Sequence, residues 1–307
     1  MLNFVFGFLF LFVNSVVETI IYSARLLTDL SSLIFSSYSL LAPFTVSILL
    51  FAAKMADVRS SFGGKTVLVT GAGQGIGRAV CKKLVDSGAH VLALSRTADP
   101  HLNSLAAECA ELSGKIETYE IDLSNWDATR DLVEKLAPRV DCLVNNAGRS
   151  LLESFLEMKP ESFDMIMEVN VKAVINVSQV VCKAMINRGH NGSVVNVSSI
   201  ASTLAVKDHT AYCASKGALD TVTKVMALEL GPNKIRVNAV NPTVVLTPMG
   251  LYAWSDPKKA DPMIARIPLG KFIGEEDVVN AILFLLSDQN GMIHGACLPI
   301  DGGLSCW

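Results

Sequence analysis

The run Lys65-Thr66-Val67-Leu68-Val69-Thr70-Gly71-Ala72-Gly73-Gln74-Gly75-Ile76-Gly77 decides how this chain folds. Its first six residues form a short, mostly apolar and β-branched strand pattern. The stripe Ile76, Val80 and Leu84 that follows has the spacing of a helix face. A strand that turns through glycines into a helix leaves free backbone N–H groups at the helix N-terminus, where they face a phosphate. The turn departs from the common Gly-x-Gly-x-x-Gly, because Ile76 stands where the last glycine would be. It reads Thr-Gly-x-x-x-Gly-x-Gly instead, with Gly71, Gly75 and Gly77 at its fixed positions and Gln74 and Ile76 between them.

Outward from this turn the same rhythm repeats. Val91–Leu94 reads as a second buried strand, followed by a helical stretch from Leu105 to Leu112. Ile116–Ile121 and Cys142–Val144 are the next strands, and a long helix is expected around Phe163–Met185. The strand Ser193–Val197, a helix running through Leu230, and the strands Ile235–Val240 and Ala296–Ile300 complete the series. Apolar strands separated by helix-length segments predict an α/β fold: a doubly wound parallel sheet with helices on both faces, formed by residues 55–307 as a single domain. Ligands of such sheets bind beyond the carboxyl ends of the strands, where the strand order reverses.

A second motif bears on chemistry. Tyr212 and Lys216 lie four residues apart, on one face of a predicted helix, thirteen residues after Ser199. A free phenol titrates near pH ~10, and an adjacent ammonium would draw that value down toward a range useful for proton transfer. Paired with an upstream phosphate-binding turn, this is the equipment of hydride chemistry, with Tyr212 as acid and base.

Composition narrows the alternatives. The chain has 307 residues, 50% of them hydrophobic, and a net charge of -3 with no Lys/Arg run, which argues against a nucleic-acid surface. Seven scattered cysteines without metal spacing imply neither a metal site nor a disulfide framework, and favour a reducing, cytosol-facing compartment. The sequons at Asn176, Asn191 and Asn196 lie in or beside apolar runs, and we read them as chance matches. Residues 1–54 differ in kind: residues 4–13 are Phe, Val, Leu and one Gly, and residues 30–53 carry no charge. They read as an apolar helical extension able to anchor the chain to a membrane, with Met55 as an alternative start. Lys54, Arg59 and Lys65 would hold the following domain on the cytosolic side.

The motifs Thr70–Gly77, Asn145-Asn146-Ala147-Gly148, Asn170, Ser199 and Tyr212-x-x-x-Lys216 stand in the order and spacing of the short-chain dehydrogenases/reductases, which this chain resembles over residues 63–303. The resemblance implies a Rossmann-type sheet, a nicotinamide dinucleotide, and a homotetramer in which the apolar end Leu304–Trp307 packs on a neighbour. It implies that Tyr212 protonates a carbonyl oxygen, Ser199 hydrogen-bonds that oxygen, and Lys216 lowers the phenol pKa and holds the nicotinamide ribose. Asn170 would retain a water that links the lysine to solvent. At the end of the second strand, Ser95-Arg96-Thr97 offers a cation and hydroxyls where an acidic residue would select NAD, so NADP(H) is the expected cofactor. Gln74 is neutral where many NADP-preferring relatives carry Lys or Arg. Asp122 and Leu123 would contact adenine. Asn146, Ala147 and Gly148 let the chain pass close to the cofactor, and Thr243, Val245 and Thr247 would line the nicotinamide.

More narrowly, Val194–Ser199, Tyr212-Cys213, Lys216–Asp220, Lys224–Asn241 and Arg266–Phe272 resemble a branch of the family that reduces small polyhydroxylated ketones and dicarbonyls. His209 would hydrogen-bond a substrate hydroxyl and Trp254 would wall the substrate pocket, from a mobile segment after Thr247. Two alternatives stay open at this level. One is a membrane-associated retinoid or steroid dehydrogenase of the same fold; the other is a non-catalytic, membrane-tethered binding protein.

Overall fold

The computed structural model describes residues 61–306; the expected extension over residues 1–54, and Trp307, lie outside the described residues. Seven strands form one parallel sheet: β1 (Thr66–Thr70), β2 (His90–Ser95), β3 (Lys115–Glu120), β4 (Cys142–Asn145), β5 (Gly192–Val197), β6 (Ile235–Pro242) and β7 (Cys297–Ile300). Their order is β3-β2-β1-β4-β5-β6-β7, so the chain runs outward from β1 in one direction, returns, and continues from β4 in the other. The reversal falls between β1 and β4, whose register pairs Val67 with Cys142 and Val69 with Val144.

The two-residue period of the strands distributes the core to both faces. Val67 and Val69, with Val91 and Ala93, pack beneath α1 (Gly75–Asp86) and α2 (Asn103–Cys109). Leu68, Leu92 and Leu94 point the other way, toward α3 (Trp126–Leu136). All five residues of β1 are buried, and each large apolar side chain among them contributes roughly 2 kcal/mol by leaving water. β3 departs from the expected apolar pattern. It is a sheet edge of alternating polar residues, held by Glu117, which accepts from Arg139 Nη1 and Nη2 at 2.7 and 2.8 Å and faces His90 Nε2 at 2.7 Å. The Arg139 hydrogen bonds draw the Glu117 carboxyl down to about 2.

The long helix expected around Phe163–Met185 is present but interrupted. α4 (Pro160–Met167) passes into α5 (Ala173–Asn187) through a π-helical turn, Glu168–Lys172, a local widening that recurs at functional sites. α6 (Thr210–Leu230) follows β5. The segment after Thr247 forms two short helices, α7 (Pro248–Trp254) and α8 (Pro257–Ile264). Each opens on proline, with Thr247 accepting from Gly250 N at 3.2 Å and Asp256 accepting from Lys258 N at 3.0 Å as caps. α9 (Glu275–Leu286) covers the β1 face beside α1. Asn176 and Asn196 are fully buried, as the reading of those sequons requires.

Candidate active site

The cleft beyond the carboxyl ends of β1, β4, β5 and β6 has a volume of about 390 Å³. Its floor is the glycine turn. Gly71 takes φ +66°, and a Cβ there would stand 2.8 Å from Ala147 Cα. A Cβ on Gly77 would stand 2.3 Å from Gly71 O and 2.4 Å from Asn146 Nδ2. Gly77 therefore does not line the cleft; it lets the first turn of α1 close onto the end of β1, which is what aims the helix N-terminus outward. Asn146 fastens the same corner. Its Nδ2 donates to Thr70 O at 3.0 Å and Gly71 O at 3.1 Å, while Thr70 Oγ1 accepts from the backbone N–H groups of Asn146 and Ala147 at 3.0 and 3.1 Å.

The remaining residues expected to hold a dinucleotide line this cleft together: Gly71, Gln74, Gly75 and Ile76 in the turn, Ser95, Arg96 and Thr97 after β2, Asp122 and Leu123 after β3, Asn146–Gly148 after β4, and Thr243, Val245 and Thr247 after β6. The Thr243 hydroxyl is buried and has no hydrogen-bond partner among the described residues, so a polar group entering the cleft there would satisfy it. No carboxylate stands at the end of β2, where Ser95, Arg96 and Thr97 are joined by His101. The chemistry of this donor set fits a phosphorylated dinucleotide.

Farther along, Ser199, Tyr212 and Lys216 meet on the cleft wall. Ser199 ends the loop after β5 and accepts from Ala201 N at 3.1 Å; Tyr212 and Lys216 come from the first two turns of α6. Lys216 Nζ donates to Val197 O at 2.8 Å and lies 5.5 Å from the centroid of the Tyr212 ring. Burial draws Lys216 down to about 8, against the pull of Asp220 one turn later. The phenol moves opposite to the direction expected. Burial pushes Tyr212 up to about 12, and the stabilising hydrogen bond available from Ser199 offsets only part of that. The physical reason is position: the lysine sits over the ring and donates its hydrogen bond to the Val197 carbonyl, so desolvation of the phenol outweighs what stabilises its anion. Tyr212 is consequently protonated throughout the neutral range.

The Asn170 side chain is engaged within the protein. It is wholly buried in the π-helical turn and does not line the cleft. Its Oδ1 accepts from Arg149 N at 2.8 Å, and its Nδ2 donates to Arg149 O at 3.0 Å and Ser215 Oγ at 2.9 Å. Asn170 thus ties the loop after β4 to α6 and fixes the spacing between Gly148 and Lys216. A Cβ on Gly148 would lie 3.5 Å from Asn170 Oδ1 and 3.6 Å from Lys216 Nζ, so glycine keeps the way to the amine open.

His209 and Trp254 do reach the cleft. Their rings stack with centroids 6.5 Å apart, and His209 meets Tyr212 edge-on at 6.2 Å. His209 Nδ1 lies 2.7 Å from Lys207 O, a carbonyl that can only accept; Nδ1 therefore carries hydrogen, and in the neutral ring Nε2 is an acceptor for a hydroxyl. The sequence reading missed Arg149 and Ser150, which follow directly on Asn145–Gly148 and could have been found by that position. It also missed Leu152, Val206, Tyr252 and Met263, whose residue types carry no signal of a ligand.

Comparison with known proteins follows the same lines. Residues 71–305 match the family model described as enoyl-(acyl carrier protein) reductase, a short-chain dehydrogenase model. The chain is 57% identical over 240 residues to L-xylulose reductase of Homo sapiens, covering 78% of this chain and 96% of that protein. It is 48% identical over 246 residues to carbonyl reductase (NADPH) 2 of Sus scrofa, covering 80% and 98%. Among solved structures, a Beutenbergia cavernae protein described as an NAD(P)-dependent gluconate 5-dehydrogenase with bound NADP aligns at TM-score 0.78 and 35% identity, covering 81% of this chain and all of that one (100%).

Proposed function

The chain belongs to the short-chain dehydrogenases/reductases, and from that premise we propose that it is an NADPH-dependent carbonyl reductase that interconverts L-xylulose and xylitol and also reduces α-dicarbonyls. The observation that carries this reading is the convergence of Ser199, Tyr212 and Lys216 on a cleft whose far end offers Arg96, Ser95 and Thr97 and no carboxylate after β2. The identity with L-xylulose reductases supports the substrate class.

NADPH, when bound, supplies the hydride. The glycine turn and α1 N-terminus would hold its pyrophosphate, the β2 end would hold the 2′-phosphate, and the unpartnered Thr243 hydroxyl would pair with a polar group of the nicotinamide. Ser199 hydrogen-bonds the substrate carbonyl oxygen, and Tyr212 gives that oxygen its proton as negative charge develops there. Because burial holds the phenol near 12, Tyr212 keeps that proton until an alkoxide of comparable basicity forms beside it. Lys216 would hold the ribose, and its ammonium, recharged from solvent, would return a proton to the phenolate. His209 Nε2 accepts from a hydroxyl next to the reacting carbon, which favours polyhydroxylated ketones over apolar ones.

The experiment is NADPH oxidation by the full chain in mild detergent with a carbonyl panel. L-Xylulose is expected to turn over with kcat/KM at least about tenfold above retinal, the scale of one satisfied hydroxyl contact, and diacetyl, which has no hydroxyl, is expected to turn over as well. Preference for retinal or a steroid ketone overturns the substrate assignment, and absence of turnover with every carbonyl overturns the enzymatic one. The pH profile is a second expected result. Lys216 is the group that titrates near 8, and its ammonium is the active form. In reduction, kcat/KM is therefore level below that pH and falls about tenfold per unit above it. A profile level across that range contradicts the role of Lys216.

The same reading attaches the chain to the cytosolic face of a membrane through residues 1–54, whose uncharged run from 30 to 53 supports it, and assembles it as a homotetramer. Val225 and Leu228, exposed on α6, support such assembly. Recovery of the full chain in the salt-washed soluble fraction, or light scattering at the mass of a monomer, contradicts the corresponding part.

A further inference from the structure

We propose that His101 is a second donor for the 2′-phosphate of NADP, taking the place of the cationic residue that the glycine turn lacks. The inference rests on the cofactor reading above and assigns that corner's selectivity to a named residue. Gln74, the residue of the turn best placed to carry a charge toward the cofactor, is neutral, exposed, and makes no side-chain cap to α1. The polypeptide supplies a side chain from elsewhere. The segment between β2 and α2 turns back so that His101 lines the cleft with Ser95, Arg96 and Thr97.

Two close approaches define the corner. A Cβ on Gly73 would meet Ser95 Oγ at 2.7 Å and His101 Cβ at 3.0 Å, so the glycine turn, the end of β2 and His101 converge on one point. The backbone at His101 is pinned from two sides: Arg78 Nη1 donates to His101 O at 2.8 Å and Ser104 Oγ donates to the same oxygen at 3.1 Å. Arg78 is in turn bound to Glu108 at 2.7 Å, so its own charge is engaged within the protein and turned away from the cofactor. The imidazole of His101 makes no hydrogen bond or ion pair among the described residues. An anchored backbone carrying an unpartnered imidazole at the wall of a cleft, beside an arginine and two hydroxyls, is a donor poised for an anionic oxygen. Arg96 is exposed, and an exposed guanidinium with no second charge-bearing donor beside it discriminates weakly.

The test is equilibrium binding, read by quenching of protein fluorescence, with NADPH and NADH titrated separately into the full-length protein and its His101→Ala variant. The alanine variant is expected to bind NADPH about tenfold more weakly while the NADH Kd stays within about twofold, as for loss of one charge-assisted contact to a group that only NADPH carries. Adding Gln74→Lys to that variant is expected to recover most of the lost NADPH affinity, since it puts a cation back in the turn. 2′,5′-ADP, which carries the 2′-phosphate without the nicotinamide, follows NADPH in all three proteins. Equal loss of NADPH and NADH affinity, or no loss of either, overturns the assignment of His101 while leaving the cofactor reading intact. Failure of the unaltered protein to bind NADPH at all overturns that reading and the assignment with it.

Discussion

Tyr212→Phe removes one oxygen atom and is expected to lower kcat for ketone reduction about a thousandfold, or roughly 4 kcal/mol of transition-state stabilisation. The ring stays. Its edge contact with His209 and its place beneath Lys216 Nζ depend on the aromatic face, so NADPH affinity and thermal stability change little. The loss is in the proton. With the phenol held near 12 by burial, Tyr212 keeps its proton at neutral pH and is the acid of the proposed reaction, and neither Ser199 nor Lys216 occupies its position. Measured with L-xylulose, the variant therefore shows reduced kcat at nearly unchanged KM, the signature of an interaction made in the transition state. A comparable fall in NADPH affinity would mean that the hydroxyl serves binding instead.

Gly77→Ala carries the second large effect, through geometry instead of chemistry. Its Cβ would lie 2.3 Å from Gly71 O, 2.9 Å from Gly71 C and 2.4 Å from Asn146 Nδ2, distances at which something must move. Neither neighbour is free to do so. Gly71 O is backbone at the end of a buried strand, and Asn146 Nδ2 already donates to Thr70 O and Gly71 O. The methyl therefore breaks those hydrogen bonds or pushes α1 off β1, with an expected stability loss of about 2–4 kcal/mol and NADPH binding weakened at least about a hundredfold. Gly291→Ala is the matched control. Gly291 has φ -53°, and a Cβ there meets nothing within 4 Å, so stability and affinity are expected to stay as they are. Equal behaviour of the two variants in thermal unfolding would contradict the packing account of the turn.

How far the sequence alone reaches depends on what each feature obeys. The strand-turn-helix run at Lys65–Gly77 is legible because its residues answer to two local rules, alternation in a buried strand and periodicity in a helix. β3 escapes that logic: at the sheet edge its outward positions face water, and Glu117 is there for Arg139 and His90, partners that only the fold brings together. The π-helical turn around Asn170 has no residue signature, since Glu168–Lys172 would sit equally well in a regular helix. The approach of Lys216 to Tyr212 follows from their spacing, but the direction of the phenol's shift does not, because spacing reports the neighbour and not the burial. His101 is invisible for a related reason: its place beside Ser95 and Gly73 depends on how the chain turns after β2.

The account stands on Tyr212 delivering a proton to a ketone oxygen while the bound dinucleotide reduces the carbon. The most direct measurement is mass analysis of the product formed from L-xylulose by the full chain with NADPH deuterated at the transferable position. Xylitol carrying a single deuterium, formed at a rate that collapses in Tyr212→Phe, is the predicted result. Unlabelled xylitol, or labelled xylitol formed equally fast by Tyr212→Phe, would contradict it.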